Sequence, residues 1–596
     1  MTRHVVATAG HVDHGKSTLI RALTGIETDR WAEERRRGLT IDLGFAWTAL
    51  PSGRHVAFID VPGHERFVAN MLAGLGGATS VLFVVAADEG WSAQSDDHRD
   101  ALRALGVERG VIAVTRCDRA PEEVEATSAR ARAELADTGL AEAPVVAVSG
   151  VNGAGLESLR AALDDMLATE PEPDPAARVR FWVDRSFTIT GAGTVVTGTL
   201  LAGSIARGDE LHLATADGLR SVTVRSIESE GARLEQIGPV VRTGLNLRGI
   251  SAEEAHRGDL LLTPGAWNLT DTVDVRKVAG AAENVPEQVL GHVGSASIPL
   301  HARQFDADHL RLRLPRALPL VRGDRLVLRD PGRQGILAGV QVLDADPPEL
   351  TRRGDASRRS VALAAATLSG TVHDEVARRG AVSLAHLRRL GLVDGAEEVP
   401  AGVRTVGEWW VQESTFAGWA REALAAVRAD HERNPLSHGI SRGSLVDRIG
   451  LPSPDLLSAV AREAGLDQDA GRVRLPGRPD DLGPAEPGIA TLEVRLSSDP
   501  FDAPLADDLI ELGLGVSDLA AAERAGRVLR LGEVVLLPSA PAQAMRELAA
   551  LEQPFTTSQA RQTLNTSRRV AIPLLEHLDR RGWTRRLDAG HREVVR

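Results

Sequence analysis

Lysine is nearly missing from this chain: of 69 basic residues in 596, only Lys16 and Lys277 are lysine, so arginine carries almost every cation. A lysine kept against that background marks a place where a compact ammonium on a thin stem is needed and a planar guanidinium would not fit. Cysteine is scarcer still. Cys117 stands alone, which excludes an intramolecular disulfide framework and a cysteine-cluster metal site. No apolar run is long enough to span a bilayer, and the opening Met1-Thr2-Arg3-His4 lacks the features of a secretory leader, so a cytoplasmic chain without membrane contact is expected. Nor is the chain basic as a whole. Its formal net charge of −13 argues against a wholesale nucleic-acid coat and confines any RNA contact to local patches. At 596 residues and 43% hydrophobic, several domains are expected, each burying its own core.

The retained Lys16 lies in Gly10-His11-Val12-Asp13-His14-Gly15-Lys16-Ser17, with Thr18 behind it, after the apolar segment Val5-Val6-Ala7 and before a helical pattern. This is the arrangement of a P-loop. Its glycines let backbone N–H groups curl around the α- and β-phosphates of a nucleotide, Lys16 reaches the β- and γ-phosphates, and the Ser17 hydroxyl ligates Mg²⁺. Strand-like Val56-Ala57-Phe58-Ile59 leads into Asp60-Val61-Pro62-Gly63-His64. There Asp60 is expected to hold Mg²⁺ through water and the Gly63 amide to sense the γ-phosphate, as in a switch II. Upstream, Arg37-Gly38-Leu39-Thr40-Ile41 supplies Thr40 as a Mg²⁺ ligand while the γ-phosphate is present, which makes the stretch from Gly25 to Thr40 a switch I. Taken alone, Thr40 reads equally well as an ordinary strand-edge threonine; the neighbouring motifs decide for the switch.

Base choice is expected after the run Val111-Ile112-Ala113-Val114, in Thr115-Arg116-Cys117-Asp118. Asp118 accepts from N1–H and the 2-amino group of guanine, a pair adenine does not present. The usual form of this motif is Asn-Lys-x-Asp. Arg116 keeps an aliphatic stem to cover the base, whereas Thr115 gives up an amide, which predicts looser nucleotide binding with guanine preference retained. Ser149-Gly150, after a further apolar run, stands where a backbone N–H would meet guanine O6.

Alternating strand and helix patterns end at Thr169-Glu170-Pro171-Glu172-Pro173-Asp174-Pro175, and strand-rich sequence follows. Within it Arg-Gly-Asp-x-Leu recurs at Arg207, Arg257 and Arg322, each time as a turn feeding a strand, which suggests two β-barrels. A cell-adhesion role for the tripeptide fits poorly without a secretion signal. Past Arg352, helical segments end four times in short strand pairs, near Trp409-Trp410-Val411, Arg472-Val473-Arg474-Leu475, 528–537 and 584–595. Helices closed by a terminal hairpin, repeating at roughly sixty residues, read as winged helices; a helical bundle with incidental strands is the alternative. The expected fold is thus multidomain: an α/β P-loop GTPase domain at 1–170, β-barrels at 176–262 and 263–350, and winged helices (α+β) at 355–415, 416–480, 481–540 and 541–596.

The last unit reverses the charge of the chain. From Arg561 to Arg596 nine arginines face four carboxylates, a net +5. Arg568 and Arg569 are expected to open a helix whose apolar face is Val570, Ile572, Leu574, Leu575 and Leu578, and Arg585 and Arg586 to lie on the strand of a wing. Either pair alone reads as a solvated face; two pairs on one small domain point to RNA phosphates.

The eight residues from Gly10 to Ser17, the run Arg37-Gly38-Leu39-Thr40-Ile41-Asp42 and the run Asp60-Val61-Pro62-Gly63-His64-Glu65 resemble the translational GTPases related to elongation factor Tu. Within that family, the threonine opening the guanine motif, the run Asn70-Met71-Leu72-Ala73-Gly74 and the long carboxyl-terminal extension are most similar to the selenocysteine-specific elongation factors of bacteria. The resemblance covers essentially the whole chain. It implies a monomeric GTPase that binds GTP or GDP and carries selenocysteinyl-tRNA to the ribosome, at a UGA codon beside an mRNA hairpin gripped by the carboxyl-terminal unit. It implies His64 as the catalytic residue, restrained by an apolar gate of Val12 and Leu39 until ribosomal RNA turns it toward the attacking water. It also implies an aminoacyl pocket in the first barrel at Asp184, Arg185 and Arg242. A selenol is an anion at neutral pH, so Arg185 or Arg242 would select it from serine by charge, with Asp184 taking the aminoacyl ammonium. Taken singly, these arginines read as well as tRNA-phosphate contacts or strand caps. Two other functions compete. A general aminoacyl-tRNA carrier is disfavoured by the four-unit extension with its basic end, and a GTP-switched winged-helix DNA-binding protein is disfavoured by the two barrels.

Overall fold

The computed structural model describes residues 3–28, 40–189, 191, 193–280, 284–332, 335–368, 371–393, 395, 398–433, 437, 439–469, 471–477, 482–588 and 590–595. Two compact units divide the chain, residues 1–375 with 383–398 and residues 376–382 with 399–596.

The first unit opens on a six-stranded sheet, β1 (Arg3–Ala9), β2 (Gly44–Ala49), β3 (His55–Asp60), β4 (Ser80–Ala86), β5 (Gly110–Thr115) and β6 (Val145–Ala147), in the order β2-β3-β1-β4-β5-β6. Strand β2 runs antiparallel to β3, and the other neighbours are parallel. Parallel strands covered on both faces read as unbroken apolar runs, and here alternate residues serve opposite cores. Val5, Ala7, Ala9, Phe83 and Ile112 face α2 (Val68–Leu75), α3 (Ala93–Leu105) and α4 (Val124–Leu135), whereas Val6, Leu82, Val84 and Val111 face α1 (Lys16–Thr24) and α5 (Leu156–Ala168). The loops carrying the phosphate and base motifs therefore leave the carboxyl ends of β1, β3 and β5, where α/β sheets place their ligands.

Two barrels follow. The first consists of β7 (Arg180–Ile189), β8 (Gly193–Leu200), β9 (Ile205–Ala206), β10 (Glu210–Thr215), β11 (Gly218–Ser229), β12 (Ala232–Leu234), β13 (Gln236–Ile237), β14 (Val241–Arg248) and β15 (Leu260–Leu262). Seven of them pair in the order β10-β15-β7-β8-β14-β11-β12, and pairing of β10 with β11 closes the ring. In the second, β16 (Thr270–Ala279), β17 (Gln288–Val293), β18 (Ala296–Gln304), β19 (His309–Leu318), β20 (Arg325–Arg329) and β21 (Ala338–Asp344) form a closed barrel. The recurring Arg-Gly-Asp turns have one cause. In each, the aspartate takes the N–H three residues back: Asp209 from Ala206, Asp259 from His256 and Asp324 from Val321. Asp259 and Asp324 also pair with Arg316 and Arg180. Helix Asp355–Ala365 is fastened to the second barrel by Arg359, which reaches Asp274 at 2.6 Å and Asp344, while Arg311 holds the other oxygen of Asp274 at 2.7 Å. All four side chains are buried.

Short hairpins stand where the sequence placed them, at Val403–Val406 with Trp409–Gln412, Asp467–Asp469 with Arg472–Arg474, Leu529–Leu531 with Val534–Leu536, and Thr584–Arg586 with His591–Val594. The division between the two units runs through 355–415 rather than beside it. Helix Leu384–Leu390 belongs to the first unit, where Arg178 donates to the carbonyls of Arg388 and Arg389. In the second unit, 481–540 and 541–596 share one core: Phe501, Leu531, Val534 and Leu536 pack with Phe555, Leu564, Val570, Leu574 and Leu578. Helix Arg568–Arg580 differs from expectation at one position. Its buried face is Val570, Ala571, Leu574, Leu575 and Leu578, and Ile572 is 43% exposed. At 100° per residue, position 572 lies more than a quarter of a turn from each of the other apolar side chains except Leu575 and falls off their stripe.

Candidate functional site

The loop after β1 wraps a cleft of about 350 Å³ lined by Val12, Lys16, Ser17, Thr18, Thr40, Gly63 and Arg116, among others. Residues a hundred positions apart thus meet at one place. Two glycines permit it. A Cβ on Gly10, whose φ is +127°, would collide with the Val84 carbonyl of the adjacent strand, and one on Gly63 would lie 2.5 Å from both Lys16 Nζ and the Val12 nitrogen. Lys16, 6% exposed, donates to the carbonyls of Gly10 and His11 at 2.9 and 2.8 Å. Behind it His14 is fully buried, with its imidazole 4.8 Å from that of His11. Burial first, and the His11 ring second, push the His14 pKa down to about 4, so an uncharged ring backs the lysine.

Ser17 Oγ and Thr40 Oγ1 lie 3.1 Å apart. Asp60 is buried and accepts from Thr8 Oγ1 at 2.9 Å and Thr28 Oγ1 at 2.8 Å. These hard oxygen donors, two hydroxyls and a buried carboxylate oriented by further hydroxyls, suit Mg²⁺. On the base side, Thr115 Oγ1 donates to the His14 carbonyl at 2.7 Å, tying the end of β5 to the phosphate loop. Arg116 donates to the Asp13 carbonyl and pairs with Asp88 and Glu89 at 3.0 and 2.6 Å. Asp118 is exposed, Ser149 Oγ accepts from the Val151 and Asn152 N–H groups, and Gly150 packs against Thr18. His64 Nδ1 accepts from the Arg66 N–H at 3.2 Å, so the ring leans on its own turn, 6.1 Å from Phe67. Of its expected gate, Val12 lines the cleft and Leu39 lies outside the described residues. Arg37 and Gly38 lie outside them too.

In the first barrel, Asp184, Arg242 and Thr197 come together from β7, β14 and β8. Arg242 donates to Asp184 at 3.0 and 3.2 Å and to Thr197 Oγ1 at 3.0 Å, and its guanidinium stacks 3.3 Å from the centre of Phe45 on β2. Arg185 lies 5.4 Å from the same ring but bonds outside this cluster, to Asp42 at 2.8 Å and the Leu43 carbonyl at 2.6 Å. A cleft of about 400 Å³ beside this cluster is lined by Phe187, Ile189, Val195, Thr197, Arg242 and Asn246, among others.

Family models match three stretches of the chain: the elongation factor Tu GTP binding domain at 2–169, elongation factor Tu domain 2 at 193–262, and the winged helix of elongation factor SelB at 546–592. The selenocysteine-specific elongation factors of Desulfomicrobium baculatum and Escherichia coli K12 are 31% and 32% identical, each over 98% of both chains. The chain belongs to the family of selenocysteine-specific elongation factors. It is a translational GTPase, an elongation factor for selenocysteine incorporation, and it binds guanine nucleotide. A solved bacterial selenocysteine-specific elongation factor, EF-Sec, is similar over the whole of both chains, with a TM-score of 0.76 at 25% identity. The SelB of Methanococcus maripaludis, solved with the GTP analogue GppNHp, shares the fold over 58% of this chain and 80% of its own, with a TM-score of 0.51 at 23% identity.

At the other end of this elongation factor the four arginines singled out in sequence are not equivalent. Arg568, Arg585 and Arg586 are exposed, with Arg585 paired to Glu593 and Arg586 donating to the Asp588 carbonyl at 3.0 Å, while Arg569 donates to the Ala503 and Pro504 carbonyls at 2.6 and 3.0 Å. Sequence reading missed Thr8, Thr28 and Phe45. A threonine or phenylalanine in an apolar strand carries no signal of what lies across the sheet. Thr197 had one, since it lies in the glycine-rich run between Gly191 and Gly198. No helix among the described residues is long and apolar enough to cross a membrane.

Proposed function

We propose that this elongation factor, acting as a monomer in the cytoplasm, carries selenocysteinyl-tRNA to the ribosome in a GTP-dependent manner. Delivery is directed to UGA codons by an mRNA hairpin bound at the carboxyl-terminal winged helix. GTP is held by the Gly10–Ser17 loop and Thr18, and guanine is read by Asp118, with Thr115, Arg116, Ser149 and Gly150 shaping the base site. Mg²⁺ is held by Ser17, Thr40 and, through water, Asp60; when bound it offsets charge on the β- and γ-phosphates. His64 leaves its Arg66 contact and orients the attacking water once the ribosome engages it, with Val12 and Leu39 restraining it before then. Ordering of the two switches completes the tRNA surface, and their collapse after hydrolysis releases the tRNA.

The cluster of Asp184, Arg242 and Thr197 against Phe45 carries this reading. A cation desolvated on an aromatic face beside a single carboxylate favours an anionic selenolate over a neutral serine hydroxyl, while Asp184 suits the aminoacyl ammonium. Filter binding of the GTP-loaded protein tests it. Arg242→Ala is expected to weaken selenocysteinyl-tRNA more than seryl-tRNA, by about 1.5–3 kcal/mol. Equal losses would move Arg242 to the tRNA backbone.

A further inference from the structure

The two pocket arginines are anchored from different sides. Arg242 is held by groups of its own barrel, Asp184 and Thr197. Arg185 is held by Asp42 and the Leu43 carbonyl, which belong to the nucleotide-binding domain and follow Thr40 by two and three residues. The segment from Thr40 to Phe45 is short and pinned at several points: Thr40 lies 3.1 Å from Ser17 of the phosphate loop, and the Ile41 carbonyl accepts from Asn70 at 2.9 Å. Asn70, on the helix after Gly63 and His64, takes Arg257 of the first barrel at 2.6 Å, and Arg257 approaches Asp42 to 3.9 Å. Phe45 ends the segment under both pocket guanidiniums, 3.3 Å from Arg242 and 5.4 Å from Arg185. The Asn70-Met71-Leu72 run and the Arg257 turn, both conspicuous in sequence, thus meet the end of switch I at one joint.

We propose that Asp42 is the positioning residue that makes the aminoacyl pocket depend on the bound nucleotide, by holding Arg185 against the Phe45 ring beside Arg242 only while Thr40 is docked on the phosphate loop. Arg242 is the constant arm of the pocket and Arg185 the gated one. When the segment after Thr40 shifts, Arg185 loses a carboxylate and a carbonyl acceptor together, and a desolvated guanidinium without them swings toward water. The proposal rests on the reading that this cluster receives the aminoacyl group.

The test compares the full chain with Asp42→Ala, Asp42→Glu and Arg242→Ala, each loaded with GTP or GDP and titrated with selenocysteinyl-tRNA and seryl-tRNA. Nucleotide affinities, measured first, are expected to stay within twofold of the parent for all three. Asp42→Ala is expected to shrink the ratio of selenocysteinyl-tRNA affinities between the GTP and GDP forms by about tenfold or more, the worth of one charge-assisted contact. Asp42→Glu, which keeps the carboxylate, should recover part of that ratio. An unchanged ratio in Asp42→Ala, with Arg242→Ala still discriminating against the selenol, overturns the relay and leaves the pocket standing. Equal weakening of both tRNAs by Arg242→Ala overturns the pocket itself and the relay with it.

Discussion

A histidine is defined here by what it leans on. His64 rests on the Arg66 N–H and does not line the nucleotide cleft, so His64→Ala should bind GTP and tRNA normally and lose ribosome-stimulated hydrolysis by roughly 10²–10⁴-fold, as loss of a water-orienting or acid–base group does. Single-turnover hydrolysis on programmed ribosomes measures it; an unchanged rate removes His64 from the chemistry. His292 makes a different prediction. It is buried in the second barrel, and burial, then Arg329 and Arg257, push its pKa down to about 4 from 6.5. Between those values the unfolded chain binds a proton that the folded chain refuses, so stability falls as pH drops through this window, by up to about 3 kcal/mol. His292→Gln removes that term. Urea midpoints at neutral pH and near pH 4.5 should converge relative to the parent; parallel acid losses in both proteins would contradict the assignment. At this scale the sequence pointed to the cleft through residues whose chemistry is specific, such as Lys16 and Ser17, which line it, and was mute where a side chain acts through a neighbour across the sheet, as Thr28 does on Asp60.

Elements were legible through periodicity. Buried parallel strands such as β4 are apolar along their whole length, and the Arg-Gly-Asp turns announced the barrels because one aspartate-to-backbone bond recurs in each. Periodicity failed at Ile572, where counting apolar residues replaced tracking the angle around the helix. It also gave no hint that Asp274 would lie under two guanidiniums, since a charged residue inside an alternating strand reads as the solvent face. Buried Asp274 holds helix Asp355–Ala365 to the second barrel through Arg359 and braces Arg311 from a neighbouring strand. Asp274→Ala should therefore cost about 3–5 kcal/mol, because it strands buried cations rather than deleting a surface pair. Hydrogen exchange is expected to speed up first in that helix and in β19. Slowing or no change in both would mean the network is solvated in solution.

For the molecule as a whole, the uneven spread of charge supplies the test. A chain of net −13 with a carboxyl-terminal stretch of net +5 should bind a stem-loop by that end alone, and Arg568 with Arg586 are two of its exposed cations to test. Replacing both with Glu in the full chain is expected to lower hairpin affinity and reduce the log–log salt slope by about two if each arginine meets one phosphate. Duplex DNA of matched length is the control, and preference for it, or undiminished hairpin binding, would contradict messenger tethering. The full chain is required because residues 541–596 share their core with Phe501 and Leu531; cut away, they would expose half of it. The repeat spacing revealed the four hairpins but not this fusion, since a core shared between repeats looks in sequence like two separate ones. Arginine's near monopoly has a practical side. Amine-reactive reagents find only two side chains in this protein, Lys16 buried at the phosphate loop and Lys277 on β16. Lys277, the less buried of the two, is therefore the side chain such reagents reach first, so a single label placed there reports from β16 and leaves the nucleotide site unmodified.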